Sequence, residues 1–211
     1  MIIKVCGMRD PDNIRAIENT GIDWMGFDFD PKSDRYVSEL PSYLPQKVKR
    51  IGIFNDAPAS VIINHVMEYK LDGIQLNGNE TTGFCMVLYE LLSKRDLRPL
   101  LIKTINIYRS SDLNNCYNYE QFCDCFLFEV KCHTHDRDIF YNDTLMHYRG
   151  KTPFFLGGGI TPNCYQKFEN LHHSYFMGVD LNTHFEIAPG IKDASLIRHF
   201  LEAGSLNKVE V

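Results

Sequence analysis

The chain of 211 residues has no apolar run near the ~20 residues that span a bilayer. Its opening, "MIIKVCGMRD", is too short and too quickly charged for a signal peptide. It has no basic excess: the net charge is -5, which argues against a nucleic-acid partner. It has no spaced CxxC pair, which argues against a structural zinc site. Its seven cysteines, Cys6, Cys85, Cys116, Cys123, Cys125, Cys132 and Cys164, are odd in number and scattered. That pattern is no disulfide framework and points to a reducing cytoplasm. Fixed-period repeats, low-complexity tracts and linkers are missing too. What is left is one globular unit, expected to run from 1 to 211 as a single domain.

Within that unit, short apolar runs alternate with longer amphipathic ones. Strands are expected at Ile2 to Cys6, Trp24 to Phe29, Arg50 to Phe54, Asp72 to Leu76, Pro99 to Ile105, Cys125 to Val130, Pro153 to Gly157 and Tyr175 to Leu181. Helices are expected near Asp12 to Asn19, with Asp10 or Asp12 as cap, and around Phe84 to Ser93. In a third, Val61, Ile62, His65, Val66 and Tyr69 share a face. A fourth opens at "TPNCYQKFENL". The last runs from Lys192 to Ala203, with an apolar stripe of Leu196, Ile197, Phe200 and Leu201. About eight strand–helix units imply a (β/α)8 TIM barrel, with an open doubly wound sheet as runner-up.

Chemistry in such a barrel belongs at the C-terminal strand ends. That rule selects Cys6, the stretch from Asp28 to Arg35, Asn77, Glu129, Gly157 to Gly159, and Asp180 to Thr183. In "LGGGI", glycines before a helix offer backbone N–H groups to a phosphate, and "DLNTHF" after strand eight adds Asn182 and Thr183. A tight turn is the plainer reading of the glycines alone. Cys6 is either a base or nucleophile or, as for most free cysteines, a small core residue. Arg35 is either a carboxylate fork or a solvated loop arginine. Asp180, ending an apolar strand, is catalytic or holds a loop. Cys132, His133 and His135, with Asp136 and Asp138 nearby, look superficially like metal ligands. Their spacing matches no structural zinc site, and a polar loop is the better reading. No metal site is expected there.

Taken in order, "KVCGMRDPDNI", "WMGFDFDPKSDRYV", "RIGIFNDAP", "IQLNGNE", "LIK", "FLFEVK", "LGGGITP" and "GVDLNTHFEIAPGIKD" resemble phosphoribosylanthranilate isomerases from end to end. The resemblance implies a cofactor-free Amadori rearrangement of a small phosphorylated substrate in tryptophan biosynthesis. It implies that Cys6 is the general base and Glu129 stands at the general acid's position. Arg35 would contact the anthranilate carboxylate, and Asp180 matches the aspartate of strand eight. Gly158, Gly159, Asn182 and Thr183 would hold the phosphate, and Asn77 would line the substrate site. Monomer and homodimer are both open.

Three departures bear on activity. Glu129 stands where the family has aspartate; the acidity is similar, ~4.3 against ~3.9, but the reach differs. A carboxyl displaced by roughly an ångström can cost ~100-fold. "CHTHDRDIFYND" stands where the family has a glycine-rich closing loop and holds no glycine. Asn77 replaces a histidine and cannot titrate. Asp28 and Asp30 add a question, since period two gives them one face, inward or outward. The alternative to a working isomerase is a paralogue that keeps the barrel and binds a phosphorylated, sugar-like ligand with lost or altered chemistry.

Overall fold

The computed structural model describes residues 1–131, 147–169 and 171–205. Eight parallel strands close a barrel in sequence order. They are β1 (Ile2–Val5), β2 (Trp24–Asp28), β3 (Lys49–Phe54), β4 (Gly73–Leu76), β5 (Leu100–Ile107), β6 (Cys125–Val130), β7 (Phe154–Gly157) and β8 (Phe176–Leu181). Closure comes from β1 lying beside β8, with Ile2 opposite Gly178 and Lys4 opposite Asp180. All eight expected strands are present, with ends shifted by up to two residues. The open-sheet alternative falls, because β1 and β8 leave no edge.

The helices follow the sequence less evenly. The first, α1 (Pro11–Glu18), begins where Asp10 accepts a bond from Asn13 N and Pro11 pre-sets the first turn. In α2 (Ala59–Tyr69) the buried stripe is Ile62, Ile63, Val66 and Tyr69. The expected face included Val61, which is exposed, and missed Ile63. His65 keeps its place on that side, its ring 4.3 Å from that of Phe29. The third helix, α3 (Thr82–Ser93), is capped by Thr81. The segment after β5 is a 3-10 stretch over Ser110–Tyr119, and α4 (Tyr165–Glu169) is a short turn of helix. No helix is described between β2 and β3.

The C-terminal helix α5 (Ala194–Ser205) starts two residues later than expected, because Asp193 caps it through Ser195 and Leu196. Lys192, expected inside the helix, belongs to a small antiparallel hairpin instead. That hairpin is β9 (Glu186–Ala188) and β10 (Ile191–Lys192). Among the described residues, no helix is long and apolar enough to cross a membrane.

Period-two alternation sorts the side chains inside the barrel. The lower interior is an apolar plug of Trp24, Ile51, Ile102, Cys125, Leu127 and Phe155, with Trp24 and Phe155 rings 4.8 Å apart. Above it the inward positions turn polar: Thr104 and Glu129 lie two residues beyond Ile102 and Leu127, and Lys4, Cys6, Gln75 and Asp180 join them from β1, β4 and β8. The larger core lies between strands and helices. The barrel is thus filled below and chemically furnished above.

Candidate active site

The upper layer opens into a cavity of about 330 Å³ at the C-terminal mouth. Cys6, Gln75, Asn77, Glu129, Lys131, Gly158, Gly159, Asp180, Asn182 and Thr183 all line it. It therefore gathers eight of the nine site residues expected from the sequence. Arg35, the ninth, reaches its rim through Thr183, with Nη2 3.5 Å from Thr183 Oγ1.

Cys6 is 8% exposed, and its backbone N–H is anchored on Leu181 O. Burial pushes its thiol up to about 11, and Lys4 beneath it opposes the shift. Lys4 Nζ donates to Asp180 Oδ2 at 2.9 Å, a pair buried at the β1–β8 seam. Burial works to lower the Lys4 pKa, but the charges and hydrogen bonds of Asp180 and Cys6 together outweigh it and hold the ammonium above its ordinary value. Burial likewise raises the Asp180 carboxyl, against the pull of Lys4. Cys6 thus stands on a fixed cation, which favours the thiolate whenever the thiol gives up its proton.

Glu129 points inward from β6 and accepts a bond from Lys131 Nζ at 2.6 Å. Both side chains are partly exposed. Asp28 lies on the inward face of β2, where its carboxylate accepts from Ser33 Oγ and Asp30 N and folds the following loop. Asp30, beyond the strand, accepts from Asn55 and Lys32 N instead. The two aspartates therefore separate: one braces the loop at the mouth and the other ties it to the next strand's end.

That loop delivers Arg35. Its Nε and Nη2 form a side-on fork on Glu186, at 2.8 and 2.6 Å. Lys192 Nζ, fully buried, donates to the same carboxylate and to Asn182 Oδ1 at 2.7 Å. The Glu186 bonds raise Arg35 above its ordinary value. Burial works to raise Glu186, but bonds from Arg35 and Lys192 hold its carboxyl down at about 2. Gly7 makes this packing feasible, since a Cβ there would lie 2.4 Å from Arg35 Cδ, and its φ is +78°. At the other rim Gly158 has φ +87°, and a Cβ would meet Val130 O at 2.2 Å. Only glycine fits either place.

Asn77 sits in a polar knot. Its Oδ1 lies 2.5 Å from Thr104 Oγ1 and 2.7 Å from Gln75 Nε2. A separation of 2.5 Å suits O–H···O and is too short for N–H···O, so the Asn77 oxygen faces Thr104. Gln75 must then present its nitrogen to Asn77. Among the described residues, two buried side-chain atoms have no hydrogen-bond partner: Gln75 Oε1 and Asp180 Oδ1. Both residues line this cavity. Each unpaired acceptor costs about 1–3 kcal/mol, which a ligand donor would recover.

Sequence reasoning missed Lys4, Gln75, Lys131, Glu186 and Lys192. For Lys4 and Gln75 a signal existed, namely a polar residue at an inward position of the apolar runs "IIKV" and "GIQL". Glu186 and Lys192 carry no such mark, because the hairpin that pairs them is recognisable only in three dimensions. The loop with Cys132, His133 and His135 lies outside the described residues. Among those described, no group of three or more His, Cys, Asp or Glu is arranged to hold a metal.

Residues 3–203 match the family model described as PRAI, N-(5'-phosphoribosyl)anthranilate (PRA) isomerase. The N-(5'-phosphoribosyl)anthranilate isomerase of Phocaeicola vulgatus is 43% identical over 206 residues, covering 95% of this chain and 96% of that protein. The enzyme of the same name from Parabacteroides distasonis is 37% identical over 210 residues, covering 96% and 92%. The crystal structure of phosphoribosyl anthranilate isomerase from Thermotoga maritima superposes with a TM-score of 0.76 at 26% identity, covering 97% and 99%. A phosphoribosyl anthranilate isomerase in complex with reduced 1-(o-carboxyphenylamino)-1-deoxyribulose 5-phosphate gives 0.73 at 25%, with the same coverage.

Proposed function

This chain belongs to the N-(5'-phosphoribosyl)anthranilate isomerase family, and from that premise we propose that it runs the family's reaction with Cys6 as base and Glu129 as acid. The substrate is N-(5-phosphoribosyl)anthranilate and the product 1-(2-carboxyphenylamino)-1-deoxyribulose 5-phosphate. One observation carries the assignment: a thiol ending β1 and a carboxyl ending β6 line one cavity at the barrel mouth.

In this reading Glu129 gives a proton to the ribose ring oxygen, and the C1–O bond breaks to leave a Schiff base. The Cys6 thiolate then removes the C2 proton, its charge balanced by Lys4. The resulting enolamine tautomerises to the ketose, so atoms balance without a cofactor. Glu186 uses the side-on fork of Arg35 and leaves the Nη1/Nη2 end for the anthranilate carboxylate. Gly158, Gly159, Asn182 and Thr183 hold the phosphate at the β7 and β8 ends, the usual place for one in this fold. Glutamate in place of aspartate is accommodated by Lys131, which fixes the longer side chain's tip.

The test is loss of anthranilate fluorescence as product forms. Cys6→Ala should abolish turnover, and Glu129→Gln should lower it by about 100-fold or more. Full activity in either variant would overturn the assignment. The alternative, a barrel that binds a phosphorylated sugar without this chemistry, is not favoured by relatives that bear the isomerase name at 43% and 37% identity.

A further inference from the structure

The bond that steadies Glu129 also raises a chemical difficulty. A general acid must carry a proton when it acts, and the Glu129 carboxylate accepts from Lys131 Nζ at 2.6 Å. An ammonium at that distance favours the ionised carboxyl and so opposes the acid's task. Something has to draw the lysine away.

The pairing of β6 with β7 shows where it can go. Glu129 lies opposite Gly157. One step on, Gly158 packs so closely on Val130 that a Cβ would meet Val130 O at 2.2 Å. Lys131 therefore follows β6 beside the glycines that end β7, and it lines the same cavity as Gly158, Gly159, Asn182 and Thr183. The other ionisable residues lining that cavity are Cys6, Glu129, Asp180 and His184. Directly beside Glu129 across the sheet stand Asn106 and Gly157, which do not titrate. Lys4 and Lys192 are each buried against a carboxylate, of Asp180 and of Glu186, and Arg35 is forked on Glu186 as well. Lys131 is partly exposed and sits on a flexible stem, so among these cations it is the lysine free to exchange one anion for another.

We propose that Lys131 is a substrate-operated switch: it pairs with Glu129 before substrate binds and with the substrate's 5-phosphate afterwards. The proposal deepens the isomerase reading and rests on it. A phosphate monoester carries more negative charge than a carboxylate and more acceptor oxygens, so the exchange runs toward the phosphate. Glu129 is then left without its cation, beside the phosphate and Asp180, and takes up a proton from solvent, because neighbouring anions favour the neutral carboxyl. The two carboxyls already sense each other. Burial raises the Asp180 carboxyl against the pull of Lys4, and the Glu129 charge adds to that rise. The acid is thus loaded by a phosphorylated ligand, and a ligand without phosphate leaves it ionised on Lys131.

Calorimetric titration at pH 7 in buffers of different ionisation enthalpy counts the protons taken up on binding. The probes are reduced 1-(o-carboxyphenylamino)-1-deoxyribulose 5-phosphate and the same compound without its phosphate. Phosphate titrates by itself, so Glu129→Gln sets the baseline for each probe. Above that baseline, wild type should take up a proton with the phosphorylated probe and none with the other. Lys131→Met should bind the phosphorylated probe about tenfold more weakly, bind the other unchanged and lose the uptake, while Lys131→Arg keeps both. Wild-type uptake no greater than that of Glu129→Gln overturns the proposal, and it needs no Lys131 variant to fold. A Lys131→Met protein with wild-type affinity and proton count overturns it as well. Wild type that binds neither probe overturns the isomerase reading along with it, which tells the two failures apart.

Discussion

Cys6 is a buried thiol set beside a fixed cation. Burial alone would hold it as an inert core residue, the plain reading of most free cysteines. The difference is made two residues earlier, where Lys4 points the same way on β1 and is held charged by Asp180. The expected outcome is measurable without substrate. Alkylation of Cys6 by iodoacetamide, followed by peptide mass spectrometry, should be slow at pH 7 and rise about tenfold per pH unit toward about 11. Lys4→Met should slow it further at every pH. A rate that levels off near 9, the ordinary thiol value, would show that burial does not govern this residue.

The β9–β10 hairpin works as a clamp for Arg35. Glu186 from one strand and Lys192 from the other meet at one carboxylate, and Arg9 ties the turn to the β2 loop through Pro189 O and Asp34 O. Glu186→Ala should free the guanidinium, raising KM several-fold or more with a smaller change in kcat. In an Arg35→Ala background the same substitution should add nothing to KM, because the effect passes through the arginine. Additive losses would mean that Glu186 only supports the hairpin. This element also marks how far the sequence could be read. The barrel strands were legible because buried parallel strands are continuous apolar runs, as in "FLFEV". Their C-terminal ends then picked out Cys6, Glu129, Asp180 and the glycines by rule. "FEIAPGIKD" offers no comparable signal: its pairing depends on Arg35 and Asn182, and its last two residues read as the start of a helix.

For the whole molecule, charge at the mouth sets the response to acid. Glu186 is held at about 2 against an ordinary 4.5, and Asp30 and Asp193 are also lowered, chiefly by Asn55 and Ser195. A carboxylate depressed by folding contributes stability above its unfolded pKa and loses it as pH falls through the folded one. The Glu186 share should therefore be complete above about pH 4.5 and gone near 2. Urea midpoints measured across that range should fall with pH, and more gently in Glu186→Gln. An identical pH slope in the variant would remove Glu186 from the account.

The seam between β1 and β8 has a consequence for how the molecule is made. Lys4 and its counterion Asp180 are 176 positions apart in the chain. A ribosome delivers the lysine and the thiol well before the carboxylate that balances them. Until the eighth strand is made, Lys4 lacks the carboxylate that pairs with it in the folded barrel. A product that stops short of Asp180 thus lacks the counterion of the β1–β8 seam, and that seam can form only once the last barrel strand has been made.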